Sequence, residues 1–106
     1  MKKTYHKLVR DNIPAIIAAN HQTAVFSEIP EEEFLPYLKS KLSEEVEEFL
    51  TSEAIDELAD ILEVLHAILK QQGVSYTELE SLRAKKAGTN GAFEKRLLLE
   101  EVSSSD

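Results

Sequence analysis

Between Leu42 and Leu69 the chain carries nine acids (Glu44, Glu45, Glu47, Glu48, Glu53, Asp56, Glu57, Asp60 and Glu63) and no Lys or Arg across 28 residues. On a solvated helix face, acids are normally interleaved with bases, and like charges at i,i+4 destabilise. The counter-charge must therefore come from outside the run. Two pairs, Glu45 with Glu48 and Glu57 with Asp60, stand at i,i+3, so the oxygens of each pair lie on one face and can share a cation. Ionised carboxylates gathered in an interior need pairing, protonation or a bound metal. An all-oxygen donor set without His or Cys favours Mg²⁺, with Mn²⁺ as the alternative, over zinc or copper. Such ions neutralise phosphates and acidify a bound water, and a further carboxylate takes the proton.

The elements that must position these groups are helical. Pro30 and the acids Glu31, Glu32 and Glu33 open a helix whose apolar residues Phe34, Leu35, Leu38, Leu42, Val46 and Phe49 recur at helical spacing over 31–51. At about 100° per residue, Glu45 falls on that core-facing stripe, between Leu42 and Phe49. Ser52 reads as the N-cap of a third helix over 53–72, closed by Gly73. Its apolar residues Ile55, Leu58, Ala59, Ile61, Leu62, Val64, Leu65, Ile68 and Leu69 point nearly all round, which predicts a central helix. Glu57 shares the line of Ile61, Val64 and Ile68, with Asp60 one turn on. Antiparallel packing across Thr51-Ser52 brings the two carboxylate pairs together. A short helix over 10–19, with Asp11 or Asn12 as cap and Pro14 in its first turn, precedes this pair. A fourth helix runs over 75–87, capped by Ser75 or Thr77, before the loop signal Gly88-Thr89-Asn90-Gly91.

The chain has 106 residues, enough for one domain, and a chain of this size buries only about 65% of its unfolded surface. Residues 1–102 are expected to form that domain, with 103–106 a disordered tail. A deep pocket is more readily built between copies, and the apolar stretch Phe93 to Val102 needs cover, so a homodimer or homotetramer is expected. The expected architecture is all-α, a four-helix-type bundle completed by homo-oligomerisation. A net charge of −8, from 12 Lys and Arg against 20 Asp and Glu, repels nucleic-acid backbones. Cysteine is absent, which excludes disulfides, thiolate zinc sites and thiol nucleophiles. Met1-Lys2-Lys3 is followed by Thr4-Tyr5-His6-Lys7 where a signal peptide requires an apolar run, so no membrane association and a cytoplasmic location are expected.

The order Glu45-Val46-Glu47-Glu48 then Glu57-Leu58-Ala59-Asp60 resembles the ExxE…ExxD signature of the all-α nucleotide pyrophosphohydrolases. That superfamily includes MazG-like proteins, dimeric dUTPases and phosphoribosyl-ATP pyrophosphohydrolases. Lys41-Leu42-Ser43-Glu44-Glu45 is similar to the usual lead-in, and Glu57 to Leu62 to the usual second half. Tyr5 to Pro14 and Lys85 to Phe93 resemble the two ends of small MazG-like members, so the likeness spans nearly the whole chain. One departure is the spacer of eight residues, Phe49 to Asp56, which is short for the family. The resemblance implies Mg²⁺-dependent hydrolysis of a nucleoside triphosphate to the monophosphate and pyrophosphate. It also implies Glu45, Glu48, Glu57 and Asp60 as metal ligands, with Glu45 or Glu48 as general base. Phosphates need cationic donors as well, here Arg10 and Lys41 first, then Lys7 and Lys85, with Arg83 and Lys86 as further candidates.

Three other readings compete. The acids can form an idle solvated face, which accounts for Glu44, Glu47, Glu53 and Asp56, and these four are left outside the ligand set. Glu63-Val64-Leu65-His66 is a Glu-x-x-His motif, and two copies of it would suit a di-iron carboxylate bundle. A non-catalytic helical oligomerisation or binding module would use exposed acids against a basic partner. Inward-facing acids separate an enzyme from that module.

Overall fold

The computed structural model describes residues 5–104. The Met1-Lys2-Lys3 opening and the last two residues of the expected tail, 105 and 106, lie outside them. Four helices occur in order, α1 (Ile13–Ala19), α2 (Glu31–Ser52), α3 (Ile55–Gln72) and α4 (Tyr76–Asn90), and no strand occurs among the described residues. The architecture is all-α. No helix among the described residues is long and apolar enough to cross a membrane.

The chain forms two compact units, one running to Val74 and one from Ser75. In the first unit α2 and α3 pack against each other as a hairpin. Leu38 and Val64 are its buried apolar residues, and Phe34, Leu35, Leu42, Phe49, Ile61, Leu65, Ile68 and Leu69 are half-buried around them. These are the residues that a period of 3.6 places on the facing stripes. Three acidic residues in the first turn of α2, Glu31, Glu32 and Glu33, complement its dipole.

The join between α2 and α3 differs from the sequence expectation. Ser52 ends α2 rather than capping α3, and only Glu53 and Ala54 separate the helices. Glu53 is left-handed, with φ 58°, and its N–H donates to the Phe49 carbonyl at 2.7 Å. The Ala54 N–H donates to Ser52 Oγ at 3.1 Å, so the hydroxyl ties the turn itself. A left-handed residue reverses the chain in two positions, and Gly73 does the same work, with φ 73°, at the end of α3.

The expectation of a central α3 is met on one side only within a single copy. Ile55, Leu58 and Leu62 stay exposed, as do Val46 and Leu50 on α2. Apart from Ile55, at the start of α3, each of these comes one residue after an inward position, about 100° round its helix. Because the helices are antiparallel, the two offsets fall on the same side of the hairpin. That side is apolar.

α1 begins at Ile13, three residues later than the sequence suggests, with Pro14 in its first turn and no side-chain cap. In the second unit Ser75 caps α4, its Oγ accepting from the Glu78 N–H at 3.1 Å. α4 runs through Gly88-Thr89-Asn90, which the sequence marks as loop, and stops at Gly91 with φ 85°. Thr89 Oγ donates to the Lys85 carbonyl at 3.2 Å and binds that last turn together. Beyond it Phe93, Leu97, Leu98, Leu99 and Val102 are exposed, and residues 103 and 104 have no regular structure.

Candidate metal centre

Glu45 is the buried charged residue of the hairpin, only 7% exposed. Its register between Leu42 and Phe49 puts it on the facing stripe, and the packing of α3 closes over it. Glu57 and Asp60, both half-buried, meet it from the opposite helix. One oxygen from each of Glu45, Glu57 and Asp60 lies within 4.8 Å of the other two, a spacing that could hold a metal ion. A second such group, Glu44, Glu45 and Glu48, shares Glu45 and lies along α2.

Glu48 is exposed, whereas the i,i+3 pairing suggested an inward pair. Three residues fall about 60° short of a full helical turn, enough to carry Glu48 from the interface to its rim. Glu44 is the residue that sequence reasoning left out. It stands among the solvated acids by pattern, yet its carboxylate joins Glu45 and Glu48 and is half-buried. The missed signal is Lys41, which serves Glu44 at i,i+3 and Glu45 at i,i+4.

The counter-charge does come from outside the acidic run. Lys41 Nζ lies 3.3 Å from Glu45 Oε1 and 3.5 Å from Glu44 Oε1. Lys7 Nζ is 3.2 Å from Glu44 Oε1. Arg10 holds Asp60 Oδ1 at 3.2 Å and Glu63 Oε1 at 3.6 Å. Three of the expected cationic residues thus gather on the acids. Lys85 and Lys86 lie exposed on α4 in the second unit, where Arg83 is engaged with Glu80 at 2.6 Å.

Even with these cations, the acids are not fully compensated. Glu45 Oε2 and Glu57 Oε2 are buried without a hydrogen-bond partner. An orphaned buried carboxylate oxygen is costly, and a hard cation is the group that would satisfy several at once. Burial raises the Glu45 carboxyl above its ordinary range, and a hydrogen bond with Glu48 raises it further, against the pull of Lys41. Glu44 moves the other way. Burial raises it, but the hydrogen bond from Lys7 and the charges of Lys41 and Lys7 together outweigh burial and lower it. Environment has moved two adjacent carboxylates in opposite directions.

An open groove of about 470 Å³ adjoins the cluster, lined by Glu44, Glu47, Glu48, Thr51, Ser52 and Glu57. Its wall is mostly the apolar stems of these side chains, and no cationic side chain lines it. A phosphate group entering it alone would meet repulsion, and metal ions on the carboxylates would reverse that. The Glu63/His66 pair is placed differently: both residues are exposed, and Glu63 is engaged by Arg10. Neither belongs to a group of three possible metal ligands among the described residues. Comparison with protein-family models, curated proteins and solved structures finds no match.

Proposed function

We propose that the chain is a nucleotide pyrophosphohydrolase that uses Mg²⁺, or Mn²⁺ in its place, to hydrolyse a nucleoside triphosphate to the monophosphate and pyrophosphate. The observation that carries this reading is Glu45: buried, with one oxygen unpartnered, and common to two carboxylate groups able to hold a cation. Glu45, Glu57 and Asp60 would hold one ion, and Glu44, Glu45 and Glu48 a second. When bound, the ions supply neutralisation of the phosphates and a more acidic water.

The chain's own groups do the rest. Glu48, exposed at the rim beside Glu45, receives the proton of the attacking water. The water oxygen bonds to a phosphorus of the α–β anhydride, and the bridging oxygen departs with the other product. Lys7, Arg10 and Lys41, already on the acids, supply the donors that orient the phosphates. The inward placement of Glu45 and Glu57 supports an enzyme over a binding module, which would present its acids outward. A homodimer formed through the apolar side of the hairpin fits the same reading and leaves the carboxylate side open.

The test is a panel of nucleoside triphosphates with and without Mg²⁺, resolved by product. Monophosphate and pyrophosphate in equal amounts are expected, with Glu48→Gln and Asp60→Asn lowering turnover at least a hundredfold, in line with the loss of a general base or metal ligand. Release of orthophosphate, or normal turnover in both variants, would overturn the reading.

A further inference from the structure

The segment before α1 reaches the carboxylates through two side chains, and each lands on a different ion group. Lys7 meets Glu44, of the group on α2, at 3.2 Å. Arg10 meets Asp60, of the group between the helices, at 3.2 Å, and Glu63 of α3 at 3.6 Å. Lys7 also sits 5.5 Å from the Tyr5 ring centroid. Among the described residues, the first backbone hydrogen bond of this segment runs from Ile13 N to Arg10 O at 3.0 Å, which closes a turn within the segment and does not reach the hairpin.

We propose that residues 5–12 are a strap that closes over the metal-free site, and that divalent-cation loading opens it and passes Lys7 and Arg10 from carboxylate to phosphate. This rests on the metal reading of the same carboxylates. The physical basis is competition. Glu44 and Asp60 cannot give their charge fully to a divalent ion while an ammonium and a guanidinium sit on the same carboxylates, and the incoming cation repels both. The strap's ion pairs yield readily, and half-buried Leu8 is left to tether it. Lys7 and Arg10 keep 44% and 60% of their side-chain surface exposed, and exposed pairs are worth at most about fivefold each in an equilibrium. Once released, the two cations are still tethered next to the carboxylates, where phosphates on the bound ions would meet them, and a guanidinium matches phosphate geometry. The strap thus protects unfilled carboxylates and supplies donors when they are filled.

Trypsin tests this directly, because it must draw a Lys or Arg side chain into its own acidic pocket before cutting. The full chain is digested briefly across a Mg²⁺ titration, and cleavage after Lys7 is measured relative to cleavage after Arg96, an exposed site in the second unit. Metal saturation is read separately from the melting temperature. The ratio is expected to rise about threefold to tenfold as Mg²⁺ saturates, and less than about twofold in KCl of equal ionic strength. Glu44→Gln should raise it without metal. If Mg²⁺ raises the melting temperature and the ratio stays flat or falls, the strap is refuted while the metal reading stands. If neither moves, the metal reading fails and the strap with it. A Glu44→Gln variant cleaved no faster than wild type in the absence of metal also refutes closure.

Discussion

Replacing Glu45 by Gln separates charge from shape at the centre of the hairpin. The amide fills the same space and removes a buried negative charge that has one unpartnered oxygen. Loss of the Lys41 contact opposes the gain, but Lys41 keeps Glu44 at 3.5 Å and is not stranded. Taking a buried charge out of a site crowded with other carboxylates outweighs the lost contact, so the metal-free variant should gain about 1 kcal/mol at pH 7.5, or about 4 °C in melting temperature. The gain has a pH signature. Burial raises the folded Glu45 carboxyl above 4.5, so its favourable contribution is complete below pH 4.5 and is lost as pH rises through the raised value. The variant's advantage should therefore be absent near pH 4.5 and grow towards neutrality. Glu44 contributes oppositely, its lowered carboxyl stabilising above 4.5 and less so in acid, and because it shares Lys41 with Glu45 the freed ammonium adds to that contribution in the variant, in the same direction. Mg²⁺ at a hundred times its Kd should stabilise wild type by about 2.7 kcal/mol and the variant hardly at all, because both ion groups use Glu45. Thermal melts at three pH values with and without Mg²⁺ read all of this, with Glu33→Gln on the exposed first turn of α2 as a control. A metal-free variant that melts several degrees lower at pH 7.5, or an undiminished Mg²⁺ response, would refute the reasoning.

Three further outcomes are expected. Lys41→Met leaves Glu45 buried without its nearest cation, so melting at pH 7.5 should show a loss of about 2–3 kcal/mol, most of it regained near pH 4.5 as Glu45 protonates. Glu53→Gly relieves a left-handed residue that bears a side chain and should stabilise by up to about 1 kcal/mol in urea unfolding. Light scattering should report at least a dimer, and Leu58→Glu or Leu62→Glu on the apolar side should shift it towards monomer; a wild-type monomer at micromolar concentration would oppose this.

The helices and the inward aim of Glu45 and Glu57 were legible because both arise from a fixed angular period, which sequence records directly. So was the need for outside cations, since a base-free acidic run states its own deficit. What escaped depends on distance. Glu44 shares its register neighbourhood with the solvated acids, and what marks it out is the pair of cations on it, Lys41 at i,i+3, which was open to sequence, and Lys7 from 37 positions away, which was not. Glu48 escaped in the other direction, because an i,i+3 pair shares a face without sharing a depth. Ser52 was misassigned since a serine between two helices can serve either end, and the choice was made by Glu53, a residue whose type gives no sign of a left-handed backbone. Gly88 misled in the same way: inside α4 it adopts an ordinary helical conformation.

The two-residue join has a consequence for how this chain can vary. Glu53 and Ala54 contain no slack, so the turn fixes the phase of one carboxylate pair against the other. A single residue inserted between Glu48 and the end of α2 would rotate the downstream helix by about 100° and lift it by 1.5 Å against its partner. Glu57 and Asp60 would then face away from Glu45. Length changes in this stretch are tolerable only if they come as near-whole turns within both helices or lengthen the join outward as a loop. A library of one- to eight-residue insertions at this point should accordingly show metal-dependent stabilisation that recovers in steps, not gradually.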